Sequence, residues 1–192
     1  LCSLGYDVYV TVSFRPGSRA ATPETIRCLE EGKIDFGVVT TPFSGHGAIH
    51  STEVKPIDNV FIAGSSFKEL QGKELDYSIL CDLPCIFLEK NTSTRLFMDQ
   101  FLSQKGIELK PEFELATSDM IVQFVRRNLG VGCVMRDFAR DYVESGLLFE
   151  LRFNKMIPKR QFCVVRNTKM PMAPASEKLL EIMELDAAAA TV

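Results

Sequence analysis

The chain has no tryptophan and only two histidines, His46 and His50, among its 192 residues. With so few imidazoles, a catalytic constellation built on histidine has little to draw on. His46 and His50 are spaced i, i+4, which would suit two metal ligands on a helix. Gly45 and Gly47 flank His46, however, so the pair reads as loop histidines. There is no CxxC pair, and zinc-type spacing is absent. No apolar run approaches a membrane span, and no signal peptide is visible. There is no excess of one charge either. Lys plus Arg is 22 and Asp plus Glu is 25, a formal net charge of -3. That balance makes the chain a poor candidate for binding DNA over its whole surface.

G-x-S-x-G, the Walker loop and G-x-G-x-x-G are also missing. Leu129-Gly130-Val131-Gly132-Cys133 is a fragment of a dinucleotide fingerprint, but it precedes a strand where the motif must open a helix. It reads as a tight helix-to-strand turn. The six cysteines, Cys2, Cys28, Cys81, Cys85, Cys133 and Cys163, lie mostly in apolar runs. They read as free thiols in a reducing cytoplasm. Cys133 has no evident base and reads as core. Glu30-Glu31 reads as a solvated helix surface, and Glu112 and Glu114, which would share one sheet face, are a weak carboxylate pair. No catalytic residue, metal site or cofactor is predicted, and the chain is read as a non-enzyme.

What is present is an α/β grammar at ordinary globular composition, 46% hydrophobic and 24% charged. Asp7–Phe14 reads as a strand, and Thr22-Pro23-Glu24 as a helix start closed by Gly32. Asp35–Val39 follows as a strand, predicting a right-handed parallel crossover. Extended segments follow at Ile49–Pro56 and Val60–Gly64. The second half repeats the pattern. Cys85–Leu88 is a strand; Phe97, Met98, Phe101 and Leu102 give a helix its apolar face, and Gly106 closes it. Glu112–Ala116 is a strand. Thr117-Ser118-Asp119 opens a helix that Leu129-Gly130 ends, and Val131–Met135 is a strand. A helix over Asp137–Ser145, strands over Leu147–Phe153 and Gln161–Val165, and a helix over Ser176–Leu185 complete the chain. The Ala-rich end reads as frayed helix or foreign sequence.

Hydroxyl-bearing residues recur where strands meet helices: Thr22, Thr40-Thr41, Asn91-Thr92-Ser93-Thr94 and Thr117-Ser118. Such junctions present backbone N–H groups and a favourable dipole to an anion. Donors without a base or nucleophile suit binding without turnover.

Two segments carry a family resemblance. Thr22-Pro23-Glu24-Thr25-Ile26, with Leu29-Glu30-Glu31-Gly32-Lys33-Ile34-Asp35-Phe36-Gly37-Val38-Val39, resembles a signature of LysR-type transcriptional regulators in their effector-binding domain. Ser118–Val125 with Asn128-Leu129-Gly130-Val131-Gly132-Cys133-Val134-Met135 is similar to the family's V-x-x-G-x-G element, with Arg136 or Asp137 where its proline usually stands. The ending around Phe162–Asn167 also fits. The likeness covers most of residues 7 to 185.

The resemblance implies the two-lobed fold of type II periplasmic binding proteins. One lobe is expected over about 1–58 plus about 166–192 and the other over about 59–165, with the chain crossing near 56–60 and again near 154–168. It implies a winged helix-turn-helix upstream and outside this chain. The domain's first strand and helix, about 25 residues by ordinary element lengths, are also expected outside it. The implied effector is a small organic anion between lobes, touched by Thr92, Ser93, Thr94, Thr40 and Thr41, and more weakly by Thr22 and Ser118. Arg95 is expected either to add charge or to face solvent. The implied partners are a second copy, in a dimer or tetramer, and DNA through the upstream domain; no membrane is implied. Two rivals stay open: a transporter's solute-binding protein, and an enzyme on the same fold.

Overall fold

A computed structural model describes residues 22–43, 47–90 and 92–183. The expected strand over residues 7–14, and with it the parallel crossover into the first helix, lies outside them. Two compact units form. Described residues up to Lys55 and from Gln161 onward make the first, and Pro56–Arg160 makes the second. The changeovers, at Lys55–Pro56 and Arg160–Gln161, fall within the strands that run from one unit into the other.

In the first unit, α1 (Thr22–Glu30) ends at Gly32, whose φ of +68° a side chain would resist. The strand β1 (Phe36–Thr40) follows it. Then comes β2 (Ile49–Ile57), whose last residues enter the second unit. Ile26, Leu29, Val39, Cys163 and Val165 form this unit's core.

The second unit begins with β3 (Asn59–Ala63), buried along its whole length. Short 3-10 segments at Ser65–Leu70, kinked at Phe67, and at Tyr77–Cys81 flank the short β4 (Glu74–Leu75). The core β-α units follow: β5 (Cys85–Leu88), α2 (Ser93–Ser103), β6 (Phe113–Leu115), α3 (Ser118–Arg126), β7 (Val131–Met135) and α4 (Arg136–Glu144). The expected single strand over 147–153 is instead two, β8 (Phe149–Glu150) and β9 (Arg152–Phe153). The chain breaks at buried Leu151, and β8 joins β3 while β9 joins β4. Last come β10 (Arg160–Asn167), which continues into the first unit, and α5 (Pro174–Ile182).

The first unit's sheet has the order β1-β10-β2, with β1 antiparallel to β10. The second unit's sheet has the order β6-β5-β7-β3-β8. There β5 runs parallel to both β6 and β7, while β3 is antiparallel to β7. One face packs Phe61, Cys85, Phe87 and Cys133 on Met98, Phe101 and Leu102 of α2. The other packs Val60, Ile62, Ile86 and Val134 on Ile121, Val122 and Val125 of α3. Alternate residues of β3, β5 and β7 thus divide between the layers, as strand geometry requires. No described helix is long and apolar enough to cross a membrane.

Candidate functional site

In the second unit, β5, β6 and β7 are parallel and end at one edge of the sheet. Because β3 runs the other way, its first residue, Asn59, lies at that same edge, opposite Met135. Ligands of open α/β sheets bind outside such carboxyl edges. Here α2 begins, directly after β5. It is long enough, at eleven residues, to present a useful dipole at its N-terminus.

Thr92 is the N-cap of α2. Its Oγ1 accepts from the Arg95 N–H at 3.2 Å and donates to the Glu89 carbonyl at 3.0 Å. Its proton is committed within the loop, so Thr92 shapes the helix start. Ser93 and Thr94 are the first two helical residues, both half-buried. Thr94 Oγ1 accepts from Nη1 of Arg160 at 3.3 Å.

Arg160 is only 2% exposed, and its guanidinium lies 4.8 Å from the centre of the Phe97 ring. Burial pulls its pKa from 12.5 down to about 10, so it stays cationic at neutral pH. The opposite pressure acts on the thiol of Cys133, which burial raises far above its ordinary value. Burial also pushes Cys85 up to about 12. Neither thiol is a nucleophile in this state.

Arg95 does not face solvent, and its guanidinium is engaged within the protein. It is 2% exposed, and its Nε donates to Asp99 at 2.8 Å. Its Nη1 donates to Glu114 and to the Leu88 carbonyl, each at 3.0 Å. The same contact engages Glu114.

The remaining candidates lie apart. Ser118 is buried at the start of α3, one place inside the true cap, Thr117, whose Oγ1 accepts from the Met120 N–H at 3.3 Å. It belongs to the α3 layer, across the sheet from α2. Thr40 ends β1 in the first unit, paired in register with Phe162. Next to it, Thr41 is tied to Gln161 twice: its N–H donates to the Gln161 carbonyl at 2.9 Å, and its Oγ1 accepts from the Gln161 N–H at 2.8 Å. Thr22 is the first residue of α1. Among the described residues, no group of three or more His, Cys, Asp or Glu could hold a metal ion. Arg160 escaped the sequence reading: it sits in a run with Lys155 and Lys159 that looks like ordinary solvated charge.

Residues 17–186 match the model of the LysR substrate binding domain. The chain belongs to this family. It is 23% identical over 171 residues to the HTH-type transcriptional regulator CysL of Bacillus subtilis (strain 168), covering 88% of this chain and 55% of that protein. The RuBisCO operon transcriptional regulator of Acidithiobacillus ferrooxidans is 26% identical over 113 residues, 59% of this chain and 37% of that one. The chain thus spans about half or less of the length of these curated relatives. Among solved structures, the regulatory domain of Synechocystis PCC6803 CcmR in complex with 2-PG aligns with a TM-score of 0.70 at 16% identity, covering 85% of this chain and 78% of that one. The effector-binding domain of QuiR in complex with shikimate aligns at 0.68, also at 16% identity, covering 86% and 77%. The fold is therefore the type II periplasmic-binding-protein-like fold of LysR substrate-binding domains, and the chain is a ligand-sensing regulatory domain. That family membership sets aside the transporter reading.

Proposed function

We propose that this domain binds a small organic anion at the first turn of α2 and thereby controls a LysR-type regulator's action on DNA. The carrying observation is the pairing of that turn with a buried cation: Thr94 on the helix, Arg160 against its hydroxyl. Ser93 and Thr94 supply hydroxyls, the first-turn N–H groups supply directed donors, and Arg160 supplies charge in a poorly solvated place. Thr92 holds the turn in shape. Thr40 and Thr41 form a secondary candidate set on the first unit, with Thr22 and Ser118 behind them.

Two structural neighbours hold small molecules, 2-PG and shikimate, which supports a small-ligand reading here. Binding would act by differential affinity for two arrangements of a dimer or tetramer, moving DNA-binding domains supplied by the rest of the regulator. The relatives are regulators, and the ligand would be released unchanged. The described cysteines, Cys28, Cys81, Cys85, Cys133 and Cys163, are free thiols, which favours a cytoplasmic home.

The test is a thermal-shift screen of the intact protein against metabolite carboxylates, amino acids and phosphates. A ligand at a hundred times its dissociation constant adds about 2.7 kcal/mol of stability. A hit that Ser93→Ala or Thr94→Val weakens, and that is recovered chemically unchanged, supports the reading. A hit indifferent to both moves the site elsewhere, and turnover of the hit makes the domain an enzyme.

A further inference from the structure

Asn59 is a buried amide without a partner among the described residues. It is 7% exposed, and among the described residues neither Nδ2 nor Oδ1 has a hydrogen-bond partner. Leaving such a group unsatisfied is costly, and an apolar side chain of the same size would avoid the cost. A carboxamide kept under that penalty points to a partner that arrives from outside.

Its place says where that partner sits. Asn59 is opposite Met135, and two residues on, Phe61 is opposite Cys133. Phe61 and Cys133 pack on α2, so strand alternation turns Asn59 to the same layer. In the next strand, Ile86 is opposite Gly132, and continuing that register brings Glu89 level with Met135. Glu89, Met135 and Asn59 thus form one row along the carboxyl edge. At about 4.8 Å per strand, Asn59 stands about 10 Å from the strand that leads into α2. Arg160 reaches the same α2 layer, its guanidinium 4.8 Å from the centre of the Phe97 ring and its Nη1 touching Thr94.

We infer that Asn59 is the specificity residue of the anion site and that the ligand is a small hydroxylated carboxylate. Its carboxylate lies at the α2 turn and its hydroxyls on the Asn59 amide. This rests on the site reading above. A hydroxyl can accept from Nδ2 or donate to Oδ1, and two neighbouring hydroxyls serve both. An alkyl group would serve neither. An ammonium group serves only Oδ1.

The experiment measures binding to the intact protein by calorimetry for three matched pairs: glycerate and propionate, malate and succinate, gluconate and hexanoate. Alanine and aspartate test the amino alternative. The hydroxylated member of at least one pair should bind about tenfold tighter, the effect of one good hydrogen bond. In Asn59→Leu that preference should vanish while the ligand-free Tm rises, because two unsatisfied atoms are gone. Asn59→Ser, smaller and still polar, should keep part of the preference and covers the case in which the leucine variant misfolds. The inference is overturned if deoxy or amino compounds bind as tightly, or if Asn59→Leu keeps the preference. Binding of deoxy acids alone overturns it but leaves the anion site standing. Silence from every carboxylate overturns both.

Discussion

The guanidinium of Arg160 meets the hydroxyl of Thr94, Nη1 to Oγ1 at 3.3 Å, across sixty-six positions of sequence. One residue opens β10 and the other lies in the first turn of α2. The contact ties the strand that leaves the second unit to the helix whose N-terminus forms the candidate site. A change of charge or position at the α2 turn should therefore be felt at the start of β10.

That coupling is measurable. Thr94→Val and Arg160→Met, alone and combined, form a double-mutant cycle in urea unfolding. Contacting side chains of this kind couple by about 0.5–3 kcal/mol, and a value near 1 kcal/mol is expected for a single bond to a charged donor with long geometry. Additive effects within about 0.3 kcal/mol would dissolve the pairing.

Thr92 and Ser93 are adjacent but should fail differently. Thr92→Ala removes an N-cap and should cost about 1 kcal/mol of stability, lowering Tm by about 2–4 °C in a chain this size. Thr92→Asn restores a capping acceptor and should recover most of the loss. Ser93→Ala, a change to a better helix former at the first helical position, should leave Tm nearly unchanged and weaken anion binding. Differential scanning and calorimetry on the same three variants separate the two roles; a stability loss in Ser93→Ala would make it structural too.

Arg95 should behave as a structural residue. Arg95→Met strips a hydrogen bond from the Leu88 carbonyl and partners from Asp99 and Glu114. Breaking a fully buried pair costs about 3–5 kcal/mol. Asp99 and Glu114 are 39% and 35% exposed and can return to water, so about 2 kcal/mol is expected here. Arg95→Lys should recover only part, because one ammonium cannot span both carboxylates and the carbonyl. Ligand preference should be unchanged in both, which a calorimetric titration of each variant checks.

These contrasts mark what the sequence could convey. Features fixed within a few residues were legible: Thr117 and Thr92 as polar residues before apolar-faced helices, and Gly32 and Gly106 as helix stops with positive φ. The glycines of Leu129-Gly130-Val131-Gly132 read correctly as close packing. A Cβ on Gly130 would strike the Pro84 carbonyl, and one on Gly132 would meet Ile121 at 2.5 Å and Val125 at 2.7 Å. The helix stop just before them was misplaced, because it falls on Asn128, a residue that tolerates its φ of 59°. Asn59 and Arg160 were illegible. Each is a polar residue at the start of a strand, which locally means only a solvated end. Their burial comes from an antiparallel β3 that brings its first residue to the carboxyl edge, and from a helix sixty-six positions away. Arg95 was misread for the same reason, since its acceptors include Glu114 on another strand.

Asp76 supplies a test that depends on pH. It caps the turn at Tyr77–Cys81, its Oδ1 accepting from the Ser78 N–H and its Oδ2 from Nδ2 of Asn154, each at 2.9 Å. The bond from the Ser78 backbone, then that residue's side chain and Asn154, hold its carboxyl at about 2, against an ordinary 3.8. The folded value is the lower one, so the fold favours the ionised form. The stability it adds is fully present above about pH 4 and is lost as pH falls through 2. Asp76→Asn keeps an acceptor for Ser78 and cannot titrate. Glu24 beside Arg27 and Glu31 beside Lys33 are also lowered, but they are common to both proteins and cancel. Urea midpoints at pH 5, 4, 3 and 2 should therefore fall more steeply for the wild type than for Asp76→Asn, with the gap closing below pH 4. Parallel profiles would mean that the cap bonds hold the neutral acid as well as the carboxylate, and that the turn at Tyr77 owes its stability to the buried ring alone.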